Sequence, residues 1–232
     1  MILGGGANRV ERRFKSLTKL LSEKLKEAIV AGKFTPGQKL EENSLATSLK
    51  VGAVALREAL RALEIEGYVT FRPDNEVIVS KPTREEIEDC YSIAGALEGL
   101  AARLAVERAQ PEDIKRLKEL HQSLREASQK RDLIRYFDAQ NNFHRFIADI
   151  ARNERLFRLI DQLRQDIQKS RLLTLRSAQR LDYSMREHDQ IMDAFLKKNP
   201  DLAASTVVRH LNHQMETLRK TFDGSKKETP HE

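Results

Sequence analysis

Apolar residues recur at helical spacing along most of this chain, and one short stretch breaks that rhythm. Leu17, Leu20, Leu21, Ala28 and Ile29 fall on one helical stripe, which predicts a first helix over about 15–31 with Gly32 as its stop. "TPGQ" at 35–38 is turn chemistry. A short helix is expected from about Glu42 to Leu49. After "KVG" a longer one runs to Glu66, closed by Gly67. Then the pattern changes. "YVTFRPDNEVIVS" places β-branched and aromatic residues on both sides of "PDN", which predicts strands over Tyr68–Arg72 and Glu76–Ser80 joined by a tight turn. Three helices followed by two short strands make a winged helix-turn-helix.

A boundary follows at "KPTREE". Pro82 disfavours helix before it, whereas Thr83 and Glu86 have the spacing of a capping box for a new helix. From there to about Phe222 the period is helical throughout, and six segments are expected: 84–108, 111–129, 131–152, 154–178, 180–197 and 200–222. Pro111 marks one start, Asn153 is expected to close a helix, and Asn199 with Pro200 forms a cap followed by a first helical residue. Short connections imply antiparallel neighbours and hence a bundle. The fold class expected is mainly α: a winged helix-turn-helix of three helices plus a two-stranded wing over 1–82, then an antiparallel bundle of about six helices over 83–222. Residues 1–13 and the tail at 223–232 are small, polar and charged, and are expected to be disordered.

Composition narrows the partners. Lys and Arg number 41 against 35 Asp and Glu, a net charge of +6. Residues 1–82 hold 14 Lys/Arg against 10 Asp/Glu, so +4 of that excess lies in the winged-helix segment. That balance is compatible with a polyanionic partner without requiring one. The single Cys90 excludes an intramolecular disulfide and fits a reducing compartment. No apolar run is long enough to span a bilayer, and the start does not read as a signal peptide, so a cytoplasmic location without membrane contact is expected.

"AIVAGKFTPGQKLEENSLATSLKV" followed by "LREALRALEIEGYV" resembles the GntR family of bacterial transcription regulators. The helical remainder is similar to the FCD type of effector domain found in the FadR subfamily. The resemblance spans about residues 15–220, with clear departures from the family pattern. The family usually has Gly-Val-Ser-Arg-Thr-Pro-Val-Arg at the helix-turn-helix corner, where this chain has Lys50, Val51, Gly52, Ala53, Val54, Ala55, Leu56 and Arg57. Asn43 stands in place of a frequent Arg, and Glu76 in place of a wing Gly. Asn43, Ser44, Lys50, Arg57 and Arg72 remain as candidates for contact with double-stranded operator DNA, with Lys15, Lys19, Arg12 and Arg13 as sources of non-specific attraction. Taken singly, each is a solvated surface residue.

The second cluster of candidate chemistry is histidine. His144 in "NNFHRFI", His188 in "REHDQIMDAF" and His210 in "VVRHLNHQM" fall on three different predicted helices. Imidazoles converging from separate helices are a common way to build a metal site in a bundle. The resemblance implies that these three ligate a divalent metal such as Zn or Ni, joined by an acidic residue one turn before the first. That position is Gln140 here, a neutral and weaker ligand. Such a site would lack a ligand anion and could recruit an effector carboxylate, so Gln140, His144, His188 and His210 are also the candidate effector-binding residues. An Arg that the family places four residues before Glu98 is Ala94 here, removing one carboxylate-binding arm. The alternative is that the three histidines are hydrogen-bonded core residues. His121, His213 and His231 have no family support.

An enzyme is not expected. Glu187 or Asp189 beside His188 could be proposed as a base, but no nucleophile motif, phosphate loop or His-Glu-x-x-His pair is present. The expected protein is a homodimeric, ligand-responsive DNA-binding regulator of a metabolic operon, a repressor by preference, with a small organic acid or related metabolite as effector. The competing reading keeps the fold as a metabolite- or metal-binding protein that no longer reads an operator.

Overall fold

The computed structural model describes residues 5–171 and 178–225. The chain divides into two compact units, Met1–Lys81 and Pro82–Glu232. In the first, α1 covers Gly5–Val30, α2 Glu42–Leu49 and α3 Ala53–Ile65. Strands β1 (Val69–Phe71) and β2 (Val77–Val79) follow. The helix therefore begins at Gly5, where the sequence pattern had suggested disorder through residue 13; residues 1–4 lie outside the described residues.

Glycine ends two of these helices for one reason. Gly32 and Gly67 have φ of 74° and 78°. That left-handed turn lets the next amide reach back, Lys33 to the carbonyl of Ala28 at 2.9 Å and Tyr68 to that of Leu63 at 2.8 Å. Leu21, Leu25 and Ile29 of α1 and Leu56, Leu60 and Leu63 of α3 are buried together with Tyr68, Val69, Val77 and Val79. Leu17 and Leu20 stay largely exposed, so the predicted stripe on α1 is rotated: the buried set recurs at Leu21, Leu25 and Ile29.

The wing pairs antiparallel in the register Val69–Val79, Thr70–Ile78 and Phe71–Val77, shorter at each end than expected. The sequence pattern missed its third partner. Lys39 bridges Ile78, and Leu40 donates its amide to the carbonyl of Val77 at 2.8 Å. The segment after "TPGQ" thus covers the outer edge of β2, which satisfies backbone groups that a two-stranded ribbon would leave open.

The second unit holds six helices among the described residues: α4 Arg84–Arg108, α5 Pro111–Gln129, α6 Leu133–Ile150, α7 Glu154–Arg171, α8 Ala178–Leu196 and α9 Pro200–Ser225. Helix α4 packs along α9, α7 and α6, and α5 packs against α6 and α8. Thr83 and Glu86 form the expected capping box: the Thr83 amide donates to Glu86 Oε2 at 2.7 Å, and the Glu86 amide to Thr83 Oγ1 at 3.2 Å. Asn199 caps α9 through Leu202. Asn153 acts otherwise than expected. Its side chain accepts from the amide of Leu156 at 3.2 Å, so it opens α7, while Arg152 at φ 48° ends the preceding helix. Helix α9 continues to Ser225, past the expected end at 222; residues 226–232, including His231, and the 172–177 part of the segment expected over 154–178 lie outside the described residues. No described helix is long and apolar enough to cross a membrane.

Candidate functional site

On the first unit, α2 and α3 meet at Lys50, whose φ of 55° places it in the left-handed region. Its amide and that of Val51 close α2 onto the carbonyls of Thr47 and Ala46. For a residue with a Cβ this conformation costs about 1–2 kcal/mol, and it holds an exposed lysine at the corner between the helices. Helix α3 starts at N-cap Gly52, which offers no side-chain cap. Its buried face is Ala55, Leu56, Ala59, Leu60 and Leu63. Its open face carries Val54, Arg57 and Arg61, at spacings of three and four residues.

Arg57 reaches the wing. It donates to Asn75 Oδ1 at 3.2 Å, lies 4.0 Å from Glu42 and 5.9 Å over the ring of Phe71. Asn75 itself turns the wing tip with φ 63°. Exposed pairs of this kind are worth about 0–1 kcal/mol, so a phosphate or base edge can displace them. Asn43 and Ser44 are exposed on α2. Arg72 stands 3.9 Å from Glu76, and Lys39 stands 2.8 Å from the same carboxylate. Glu76, at the place of the family's wing glycine, thus pairs with two neighbouring cations and weakens their attraction for an anion. Lys19 pairs with Glu23 across an exposed turn; the side chains of Arg12, Arg13 and Lys15 lie outside the described residues.

In the second unit the three expected histidines come together. His144 on α6, His188 on α8 and His210 on α9 are all buried, and their ligand nitrogens lie within 4.8 Å of one another. Nε2 of His144 faces Nε2 of His188 at 3.1 Å. Their ring centroids are 5.2 Å apart, and those of His188 and His210 4.5 Å. Phe143, fully buried, packs edge-on against His144 and His188.

The far nitrogen of each ring meets an oxygen acceptor. Nδ1 of His144 lies 3.1 Å from Glu98 Oε2, Nδ1 of His188 lies 2.7 Å from the carbonyl of Ser184, and Nδ1 of His210 lies 2.8 Å from Glu187 Oε2. Carbonyl and carboxylate oxygens only accept, so each Nδ1 carries a proton, and a neutral ring then turns the lone pair of its Nε2 inward. Burial, followed by the neighbouring His210, pushes the His188 imidazole well below its ordinary range, which keeps it neutral. The Nε2 lone pairs of neutral His144 and His188 repel one another unless a cation lies between them, whereas that of His210 also accepts from the Gln214 amide at 2.6 Å. Nitrogens each bound at about 2.0–2.1 Å to zinc in a tetrahedral site stand about 3.3 Å apart, close to the His144–His188 separation. The residues therefore fit a divalent metal, with their outer nitrogens already anchored as metal-binding histidines usually are.

Gln140 behaves differently from a simple fourth ligand. It turns its amide nitrogen to His210 Nε2 at 3.3 Å, and Gln214, one turn beyond His210, does so at 2.6 Å. Only the amide oxygen of either could bind a metal. Glu187 is not placed as a base: its two oxygens are taken by His210 and by His213 at 2.6 Å. Asp189 faces away from the centre, toward His121 at 2.9 Å and Arg125 at 2.7 Å. Burial lowers His121 despite that carboxylate.

The expectation that charge compensation is missing changes as well. Glu98 and Glu187 are both buried and supply two carboxylates behind the ring of ligands. Arg164 of α7, also buried, pairs with Glu98, and its Nε has no hydrogen-bond partner among the described residues. Gln214, Glu98 and Arg164 were not singled out as site residues from the sequence. Gln214 was detectable by spacing, at i+4 from His210. Arg164 gave no signal, because its approach depends on how α7 packs.

Residues 89–213 match the FCD domain, and residues 17–79 match the bacterial regulatory proteins of the gntR family. The chain belongs to the GntR family, with an FCD domain. The helix-turn-helix-type transcriptional regulator YdhC of Bacillus subtilis, whose own role is uncharacterised, is 29% identical over 206 residues, covering 87% of this chain and 91% of that one. The transcriptional repressor RspR of Escherichia coli is 25% identical over 197 residues, covering 84% and 86%. The solved structure of E. coli McbR/YncC superposes with a TM-score of 0.68 at 22% identity, covering 89% of this chain and 98% of that chain, so it has the same fold. The named relatives are regulators, not enzymes.

Proposed function

We propose that this GntR protein is a DNA-binding transcriptional regulator, of repressor type, that works as a homodimer in the cytoplasm. Helix α3 enters the major groove of a near-palindromic operator, and its FCD domain holds a divalent metal, zinc or nickel, that takes part in binding a small organic acid. Arg57 and Lys50 contact base edges or phosphate, with Asn43, Ser44 and Arg72 flanking them. His144, His188 and His210 hold the metal, and a metal bound there supplies positive charge for an effector carboxylate. Gln140 and Gln214 orient what binds, and Arg164 offers a guanidinium near the same centre. Effector and operator affinities are linked, each changing the other by the same factor.

One observation carries the DNA half of this reading. Arg57 is exposed on the open face of α3, joined among the described residues to displaceable partners, in a winged helix of the GntR family. The test is selection of duplexes from a random pool by the full-length protein, followed by fluorescence anisotropy. Arg57→Ala is expected to weaken binding to the selected duplex by about 1–3 kcal/mol. Binding by the parent protein no tighter than to unselected DNA would overturn the regulator reading. It would leave a metal- and metabolite-binding protein.

A further inference from the structure

The start of α3 presents an apolar surface where base contacts are made. Gly52 has nothing within 4 Å of where a Cβ would stand, and Ala53 is exposed. Val54 is 70% exposed, among the most exposed large apolar side chains described. A β-branched residue in an exposed first turn contributes little to helix stability. It lies three residues before Arg57, on the same open face, and among the described residues it belongs to no buried apolar cluster. Residues at this end of a recognition helix meet base edges in the major groove. Of the groups exposed there, polar donors and acceptors dominate, and only the C5-methyl of thymine is apolar. An apolar side chain set against guanine, adenine or cytosine would strip water from polar atoms without replacing their hydrogen bonds.

Resting on the DNA-binding reading above, we propose that Val54 is a specificity residue that packs on a thymine methyl in each half-site. Its neighbour Arg57 supplies the polar contact. The corner that lost the family's polar side chains thereby reads a different base feature.

Deoxyuridine separates this from the parent reading, because it keeps every hydrogen bond of thymine and lacks the methyl. Duplexes are selected from a random pool with the full-length protein, and each thymine of the winning half-site is replaced in turn by deoxyuridine. Replacement at one position per half-site is expected to weaken binding about fourfold, the worth of burying one methyl. Val54→Ser, a change at an exposed position that leaves the fold intact, is expected to bind the thymine and deoxyuridine duplexes equally. Equal binding of both duplexes by the parent protein overturns the proposal, as does discrimination that persists in Val54→Ser. In either case selected DNA still outcompetes random DNA and the regulator reading survives. Failure to enrich any duplex removes that reading and this inference together.

Discussion

His144 and His188 face each other Nε2 to Nε2 across 3.1 Å, while the opposite nitrogen of each is tied to an oxygen acceptor. Two lone pairs at that distance are unfavourable alone and favourable around a cation. The arrangement costs stability without metal and repays it on binding. Zinc or nickel added to untagged, chelator-stripped protein is expected to raise its unfolding free energy by about 2.7 kcal/mol when free metal is a hundredfold above Kd. Elemental analysis should give one ion per chain, lost in His188→Ala. A melting temperature that does not respond to either ion would remove the metal centre and leave a hydrogen-bonded histidine core.

Glu187 holds His210 and His213 with its two oxygens. Glu187→Gln keeps the shape but removes the charge and releases the fixed tautomer of His210. Metal affinity is expected to fall about 10–100-fold, the usual cost of losing an outer partner. Isothermal titration against the parent protein measures it, with circular dichroism to show an unchanged helix content. Unaltered affinity would mean that Glu187 only packs.

Acid should weaken the metal-free protein. Burial lowers His188 and His121 below their ordinary value. An unfolded chain therefore takes up these protons first, near pH 6.5, and the folded chain only at lower pH. Stability from this source is complete above about pH 6.5 and declines below it, by up to about 1.4 kcal/mol per pH unit for each histidine. Urea unfolding in chelator at pH 8.0, 6.5 and 5.5 reads the slope directly. A flat profile over that range contradicts buried neutral imidazoles.

Lys50 occupies a left-handed corner that glycine would adopt freely. Lys50→Gly is expected to stabilise the protein by about 1 kcal/mol through relief of that strain. It should also weaken DNA binding and reduce the salt slope by about one. Stability and binding moving in opposite directions would mark Lys50 as a contact kept at the expense of the fold. A variant that gains stability and binds DNA as before would show that the lysine touches nothing.

Much of the architecture was legible in the chain because its signals are local. The capping box at Thr83–Glu86, the stops at Gly32 and Gly67, and Asn199 before Pro200 depend on residues a few positions apart, and the structure places each as read. The strip at Lys39–Leu40 was missed because pairing with β2 is not a local property. Asn153 was assigned to the wrong helix because a polar residue between two helices can close one or open the next.

The histidine centre divides the same way. Residue type and family placement, both properties of the sequence, selected His144, His188 and His210 and the substitution at Gln140. Which nitrogen His144 and His210 turn inward was decided only by packing, since Glu98 and Glu187 come from other helices whose rotation no local pattern reports, whereas His188 is set by the carbonyl of Ser184 one turn before it. Likewise "KVGAVA" showed from sequence that small apolar residues replace the family's polar side chains between Lys50 and Arg57. Only the folded α3 showed that Val54 stands open beside Arg57 rather than in the core, because the direction of a side chain is settled by which face of its helix finds a partner.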